Sequence, residues 1–314
     1  MKNTLIIYES KYGSTEKIVK SMAPIIGHSR YCKVDEFKEE YKEFQYVIIG
    51  SPVYKEQINK KIIEFIKNNL DWLKEKKVVI FCTCLSKECG SKYLNQLKTL
   101  LGNNLVYDEV LYGNLILDRL SKEDYNSIKK FYEKIKKPIE DVEKLNLETI
   151  IGFALDIKKI KDKDIVKAPK ELIKEQAEKF IKTHNTCTLA TGFNKRVRST
   201  PIEYNYKDGH LYFITEGGEK FAHLLQNNNI SISIYDQFTA MNNLGGMQIL
   251  GEATIVEYKS RQYYDVLHLK KVTKEKIDKL PVMLNILKVK INKIEFTYSK
   301  FKSMGYDIKQ TLDF

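Results

Sequence analysis

Between a short apolar run, Thr4–Tyr8, and an amphipathic one, Ser14–Ile26, the chain reads Ser10-Lys11-Tyr12-Gly13-Ser14-Thr15-Glu16. Hydroxyls at Ser10, Ser14 and Thr15 surround one glycine where a strand would feed a helix. A helix start carries backbone N–H groups with no intrahelical acceptor and the positive end of the macrodipole, so it suits a phosphate. Gly13 lets the backbone wrap closely, and the hydroxyls complete the shell without adding charge. The loop is neither the dinucleotide fingerprint nor a Walker loop, because both their glycine spacing and the Gly-Lys-Ser/Thr ending are missing. Ser and Thr also serve as ordinary helix caps, so the loop by itself leaves both readings open.

A second constellation lies two thirds of the way along. Arg198-Ser199-Thr200-Pro201 is followed by Leu211–Thr215 and then Glu216-Gly217-Gly218-Glu219-Lys220. Two cations, Arg198 and Lys220, with Ser199, Thr200 and Thr215 as neutral donors, can hold a doubly charged phosphate. A Gly-Gly turn permits close backbone approach, and the same residues also suit a plain exposed hairpin.

Other reactive side chains carry less. Cys82, Cys84 and Cys89 lack a nearby fourth metal ligand, and buried packing is the expected role of Cys82 and Cys84. A redox-active Cys84–Cys89 pair is the one alternative. His184, His210, His223 and His268 show no metal spacing, and no Gly-x-Ser-x-Gly elbow is present. No metal and no general acid or base is assigned.

The elements that would position these groups differ between the two halves. Thr4–Tyr8, Tyr31–Val34, Tyr46–Gly50, Val78–Cys82 and Val106–Tyr112 read as strands, alternating with helices at Ser14–Ile26, Ile58–Leu70, Tyr93–Leu101 and Ser121–Ile135. Strands apolar on both faces that alternate with helices indicate a doubly wound, five-stranded parallel sheet. Residues 143–168, rich in Lys and Asp, read as a linker between domains at 1–142 and 169–314. Past a helix at Lys170–Thr183 come short β-rich runs at Thr186–Thr191, Ser199–Tyr206, His210–Thr215, Ile230–Tyr235 and Gln248–Val256. Asp208-Gly209 marks a hairpin between two of them, and the closely spaced strands suggest a small barrel. The expected class is therefore α/β followed by all-β.

Composition narrows the setting. The 314 residues suit two domains, and 43% hydrophobic content gives each a core. No apolar run reaches membrane length, and Met1–Thr4 leads straight into the first strand, so neither a membrane span nor a signal peptide is expected. Five cysteines make no disulfide framework, which points to a reducing cytoplasm. The net charge of +12 is almost all Lys interleaved with Glu and Asp; Arg occurs only at 30, 119, 196, 198 and 261. Nucleic-acid binding is therefore the lowest-ranked function class.

On these residues the chain resembles two families. Tyr8–Ile18 is similar to the FMN phosphate loop of flavodoxins, especially flavodoxin-type protoporphyrinogen oxidases. Gly50-Ser51-Pro52-Val53-Tyr54 falls where that family covers one flavin face, and Thr83–Gly90 where it places a third flavin loop. Tyr112–Leu115 and Arg119–Ser121 also fit that branch. The resemblance thus implies an FMN site at Ser10, Tyr12, Gly13, Ser14, Thr15, Pro52, Val53, Tyr54, Ser86 and Gly90. The succession from Thr186–Thr191 through Ile230–Tyr235 to Gln248 and Gly251-Glu252-Ala253 resembles the pyridoxamine 5′-phosphate oxidase-like split barrels. There the resemblance implies a homodimer with FMN at its interface, contacted by Arg198, Ser199, Thr200, Pro201, Thr215, Glu216, Lys220 and Gln248. The contacts typical of pyridoxal phosphate are not evident, which argues against vitamin B6 oxidation itself.

The two resemblances imply an FMN-dependent oxidoreductase with one or two FMN per chain. NAD(P)H is the expected donor, and a small molecule or a redox partner protein the acceptor. The alternatives are a flavoenzyme acting on porphyrin or haem, and a non-enzymatic electron carrier.

Overall fold

The computed structural model describes residues 3–314, except for the side chains of Cys89 and Asp278, and its contacts group into two units, Met1–Ile165 and Val166–Phe314. Among the described residues no helix is long and apolar enough to cross a membrane.

The first unit runs β1 (Thr4–Tyr8), α1 (Ser14–Ile26), β2 (Ser29–Lys33), β3 (Tyr46–Tyr54), β4 (Gln57–Ile58), α2 (Lys60–Asn68), α3 (Leu70–Leu73), β5 (Lys77–Cys84), α4 (Lys87–Leu101), β6 (Leu105–Tyr112), β7 (Asn114–Leu115), α5 (Lys122–Lys134), β8 (Val142–Glu143) and α6 (Leu147–Asp162). The main sheet has the order β2-β1-β3-β5-β6 and is parallel throughout, with β4 folded back on β3. This is the doubly wound, flavodoxin-like order, and the strand order reverses between β1 and β3. Leu5, Ile7, Val47, Ile49, Val78 and Ile80 bury one face of the sheet, and Ile6, Ile48, Val79 and Phe81 the other. A strand apolar on both faces can be satisfied only by helices on both sides, which explains the alternation.

Residues 143–168, read from composition as a linker, behave otherwise. Most of them form α6, capped by Asn146, whose side chain accepts from the Thr149 N–H at 3.2 Å. Its Ile150, Phe153, Ala154 and Ile157 are buried in the core cluster with Ile18, Met22 and Phe81. Phe153 meets Phe81 edge-on at 5.6 Å between ring centroids. Of the lysines that suggested a connector, Lys159 is exposed, whereas Lys161 lies over the Tyr46 ring at 5.9 Å and donates to the Gly27 carbonyl at 3.3 Å.

The second unit opens with α7 (Lys170–Thr183). It continues through β9 (Thr186–Phe193), β10 (Arg196–Glu203), β11 (Asn205–Lys207), β12 (His210–Thr215), α8 (Lys220–Leu224), β13 (Asn229–Tyr235), β14 (Gly245–Ile255), α9 (Arg261–Leu269), α10 (Lys274–Asp278), β15 (Asn285–Tyr298), α11 (Lys300–Ser303) and β16 (Lys309–Asp313). Its antiparallel sheet has the order β10-β9-β13-β14-β15-β12-β11, with β16 added to β15, and β10 curls round to approach β12 as in a split barrel. Asp208 and Gly209 take φ values of 49° and 76°, the left-handed pair that a two-residue hairpin requires. The long central strand β15 is absent from the sequence reading. Its lysines at 288, 290 and 293 masked the run of Leu287, Val289, Ile291 and Ile294 that fills the barrel, while Ile286 packs in a separate cluster with Tyr212 and Tyr263.

If α6 belongs to the first core, Phe153→Ala removes a buried ring and should destabilise that domain by about 3–5 kcal/mol. Trp72 is the only tryptophan and lies in this domain. Urea unfolding followed by its fluorescence therefore reads the first domain alone. An unchanged midpoint would return residues 147–162 to the status of a linker.

Candidate functional site

In the first unit the loop between β1 and α1 forms one wall of a cavity of about 350 Å³, within the range of about 300–1,000 Å³ usual for small-molecule sites. Gly13 is the N-cap of α1 with φ 90°, a left-handed conformation that L side chains avoid. Ser10 Oγ folds back to accept from the Gly13 N–H at 3.1 Å and the Glu16 N–H at 3.4 Å. The Ser14 and Thr15 N–H groups have no carbonyl one turn below them. Ser14 Oγ accepts from the Asn114 N–H at 3.0 Å, and Thr15 Oγ1 meets Thr83 Oγ1 at 2.8 Å in the interior.

Across the cavity, Pro52, Val53 and Tyr54 at the end of β3 face Tyr12. The Tyr12 and Tyr54 rings meet edge-on at 5.8 Å, and Tyr54 Oη accepts from the Lys11 N–H at 3.2 Å. Burial pushes the Tyr54 phenol above its ordinary value and keeps it neutral. Of the residues anticipated here, Tyr12, Gly13, Ser14, Thr15, Pro52, Val53 and Tyr54 line the cavity, while Ser10 supports the loop from behind.

Ser86 and Gly90 do not line the cavity. Ser86 is the N-cap of α4, and Gly90 is buried within that helix. A Cβ at Gly90 would lie 2.2 Å from Val110 Cγ1, so this glycine serves the close packing of α4 on β6 rather than a flavin loop. The expected third loop is thus shorter: Thr83, Cys84 and Leu85 line the cavity and the chain then turns into α4. Cys84 donates to the Ser86 carbonyl at 3.0 Å. A hydrogen bond from Cys82 holds the Cys84 thiol below its ordinary value, while that bond and burial push Cys82 up. The proposed Cys84–Cys89 pairing lies outside the described residues, since it rests on the Cys89 side chain.

Sequence reasoning missed Asp124, at the start of α5. Its carboxylate accepts from Lys11 Nζ at 2.5 Å and from Tyr12 Oη at 2.5 Å. The apolar spacing located a helix at Ser121–Ile135 but gave no sign that its first turn reaches back to the β1–α1 loop. Hydrogen bonds from Lys11, then Tyr12, hold the Asp124 carboxyl below its usual range, and Asp124 in turn raises Lys11. Asn114, Arg119, Ile128 and Leu145 complete the outer wall.

The residues anticipated in the second unit divide between two faces. Strand register pairs Arg198 with Thr191 and Thr200 with Leu189, on the side where β9 faces the core. Glu219 at the start of α8 accepts from Arg198 Nη1 at 2.7 Å. Lys220 is 6% exposed, its Nζ donates to the Gly217 carbonyl, and burial followed by the nearby Arg198 charge holds its ammonium below the ordinary value. Thr215 Oγ1 lies 3.4 Å from both the amide nitrogen and the carbonyl of Gly217. Glu216 is exposed at the rim of a shallow depression around this turn.

Ser199, Pro201 and Gln248 belong to the opposite face. Across β10, β9, β13 and β14 one row reads Ser199, Ala190, Ser231 and Leu250, and the next Pro201, Thr188, Ser233 and Gln248. Neither row carries a charge over these four strands, and on β15 the register runs on to Lys293 and Glu295.

Residues 5–141 match the family model described as a flavodoxin domain, and residues 173–298 the one described as pyridoxamine 5′-phosphate oxidase. No curated protein sequence matches the chain significantly. Among solved structures it is similar to ChuZ from Campylobacter jejuni, at 17% identity over 55% of this chain and 72% of that one, with a TM-score of 0.37. It is also similar to General Stress Protein 26 from Bacillus anthracis, at 17% identity over 45% and 98%, TM-score 0.33. HutZ, the heme storage protein from Vibrio cholerae, matches at 14% identity over 40% and 97%, TM-score 0.34.

The Asp124 tie predicts a pH dependence. A carboxyl whose folded value lies below its unfolded one stabilises fully above the ordinary carboxylate range, about pH 4. That stabilisation is lost as pH falls through the lower folded value. Asp124→Asn should therefore lower the Tm at neutral pH, with the gap to the wild type closing in acid. A gap independent of pH would mean that the carboxylate charge plays no part.

Proposed function

We propose, from the premise that this chain joins a flavodoxin-like domain to a pyridoxamine 5′-phosphate oxidase-like domain, that it is an FMN-dependent oxidoreductase with a flavin site in each. The observation that carries the reading is the cavity above Gly13–Thr15, where unpaired helix-start N–H groups and hydroxyls meet a wall of Pro52, Val53 and Tyr54. These residues fit FMN. A phosphate suits the start of α1, and a flat ring suits the space beside Tyr54 and Tyr12.

Bound FMN supplies the redox chemistry, taking two electrons together and releasing them singly. The chain's own residues do the rest. Ser14, Thr15 and their N–H groups hold the phosphate, and Gly13 lets the backbone approach it. Tyr54, Pro52 and Val53 cover the ring and keep water from one face. The second domain holds its FMN phosphate through Lys220, with Arg198 paired to Glu219 beside it. The uncharged rows across its β10, β9, β13 and β14, with Leu250 44% exposed, pack on a second copy of the chain. NAD(P)H is the donor in this reading, and a small molecule or partner protein the acceptor.

FMN released per polypeptide, with the visible spectrum followed during anaerobic NAD(P)H addition, tests this directly. Close to two FMN per chain, bleached by NAD(P)H, is the expected result. Ser14→Asp, which sets a carboxylate in the phosphate position, should remove one flavin and Lys220→Ala the other. Flavin-free protein would refute the reading, and flavin that NAD(P)H leaves oxidised would remove the donor.

The dimer has its own test. Leu250→Lys adds a charge to the exposed apolar end of the uncharged rows, beside Lys293, so sedimentation should shift from dimer to monomer. A wild type that sediments as a monomer removes the second-copy contact.

A further inference from the structure

His223 is 2% exposed, and its two ring nitrogens are treated differently. Nδ1 lies 3.0 Å from Thr191 Oγ1, whereas Nε2 is buried with no hydrogen-bond partner among the described residues. If the Thr191 hydroxyl donates to Nδ1, the neutral ring must carry its proton on Nε2, as a donor. A histidine that served packing alone would leave that donor unmet in the interior, which is costly.

Its surroundings point to an anion. Lys220 and His223 lie three residues apart on α8 and so share one side of it, packed toward β9. Thr191, which holds the ring, is the register partner of Arg198. Two residues along the same face of β10, Thr200 has an Oγ1 that is likewise buried without a partner. Arg198 is already neutralised by Glu219 at the start of α8. The Lys220 ammonium donates to the Gly217 carbonyl, which uses one of its three hydrogens. A cation, an N–H and a hydroxyl thus gather where β9, β10 and α8 meet.

We propose that His223, fixed by Thr191 as an Nε2–H donor, is a further binding residue that joins Lys220 and Thr200 around the phosphate of the second flavin. This rests on the reading above that the second domain holds FMN. His223 acts as a neutral donor, which suits a dianion already faced by a lysine, because it adds a hydrogen bond without another buried charge. Thr191 touches no ligand and acts only by setting the tautomer.

The test is a titration of the flavin-free full-length chain with FMN and with riboflavin, which lacks the phosphate, read by flavin fluorescence quenching. His223→Phe should weaken FMN about tenfold to a hundredfold at one class of site, as expected for a hydrogen bond to a charged group. Riboflavin affinity at that class should stay as in the wild type. His223→Gln keeps an N–H and should retain most of the preference for FMN, while Thr191→Val should lose part of it. FMN binding by His223→Phe equal to the wild type at both classes, or an equal loss of FMN and riboflavin, overturns the proposal in favour of a packing role. If the Phe variant does not fold, the other two decide: equal FMN-to-riboflavin ratios in His223→Gln and Thr191→Val overturn it. A wild type with a single FMN site, abolished by Ser14→Asp and indifferent to Lys220→Ala, refutes the second flavin site itself and this proposal with it.

Discussion

The first N–H groups of a helix have no carbonyl beneath them, and in α1 they open onto the carboxyl edge of a parallel sheet, at the point where the strand order reverses. Much of the first domain follows from that arrangement. The reversal separates β2 from β3, so the loop above β1 has open space on one side. Gly13 is needed because the chain turns through a left-handed conformation there. Asn114 and Thr83 bond to Ser14 and Thr15 and so fix the hydroxyl side chains that flank the exposed amides. Burial of β1, β3 and β5 on both faces keeps this edge rigid.

In the proposed reading, the second domain meets the same chemical task with different means. Its nearest helix, α8, spans Lys220–Leu224 and is too short to offer a useful dipole. Side chains take over, with a lysine and a histidine brought under β9 by a Gly-Gly turn and one helical turn. The price is polar groups sunk into an apolar surround, among them the orphaned Nε2 of His223 and Oγ1 of Thr200.

Much of this was legible in the sequence. Alternating apolar runs gave the parallel sheet, and the β1–α1 loop gave the Gly13–Thr15 wall of the cavity, because both depend on residues close together in the chain. Asp208-Gly209 gave its hairpin for the same reason. What escaped depended on distant partners. Gly90 looks like a loop glycine until Val110 is seen packed against its Cα. Asp124 looks like a helix-start acid until Lys11 and Tyr12 arrive from the far end of the domain. Residues 147–162 look like a connector because three lysines and two aspartates crowd their second half and hide the four buried positions that fasten α6 to α1. The run Arg198–Pro201 reads as one motif, yet a strand sends alternate side chains to opposite faces and divides it.

Lys11, the one lysine inside the first phosphate loop, is engaged by Asp124. An anion settling on the start of α1 would therefore meet dipoles and hydroxyls first, with Lys17 and Arg119 as cations elsewhere on the cavity wall. Its hold would come chiefly from shape and oriented backbone, and so would weaken with ionic strength less than a net charge of +12 suggests.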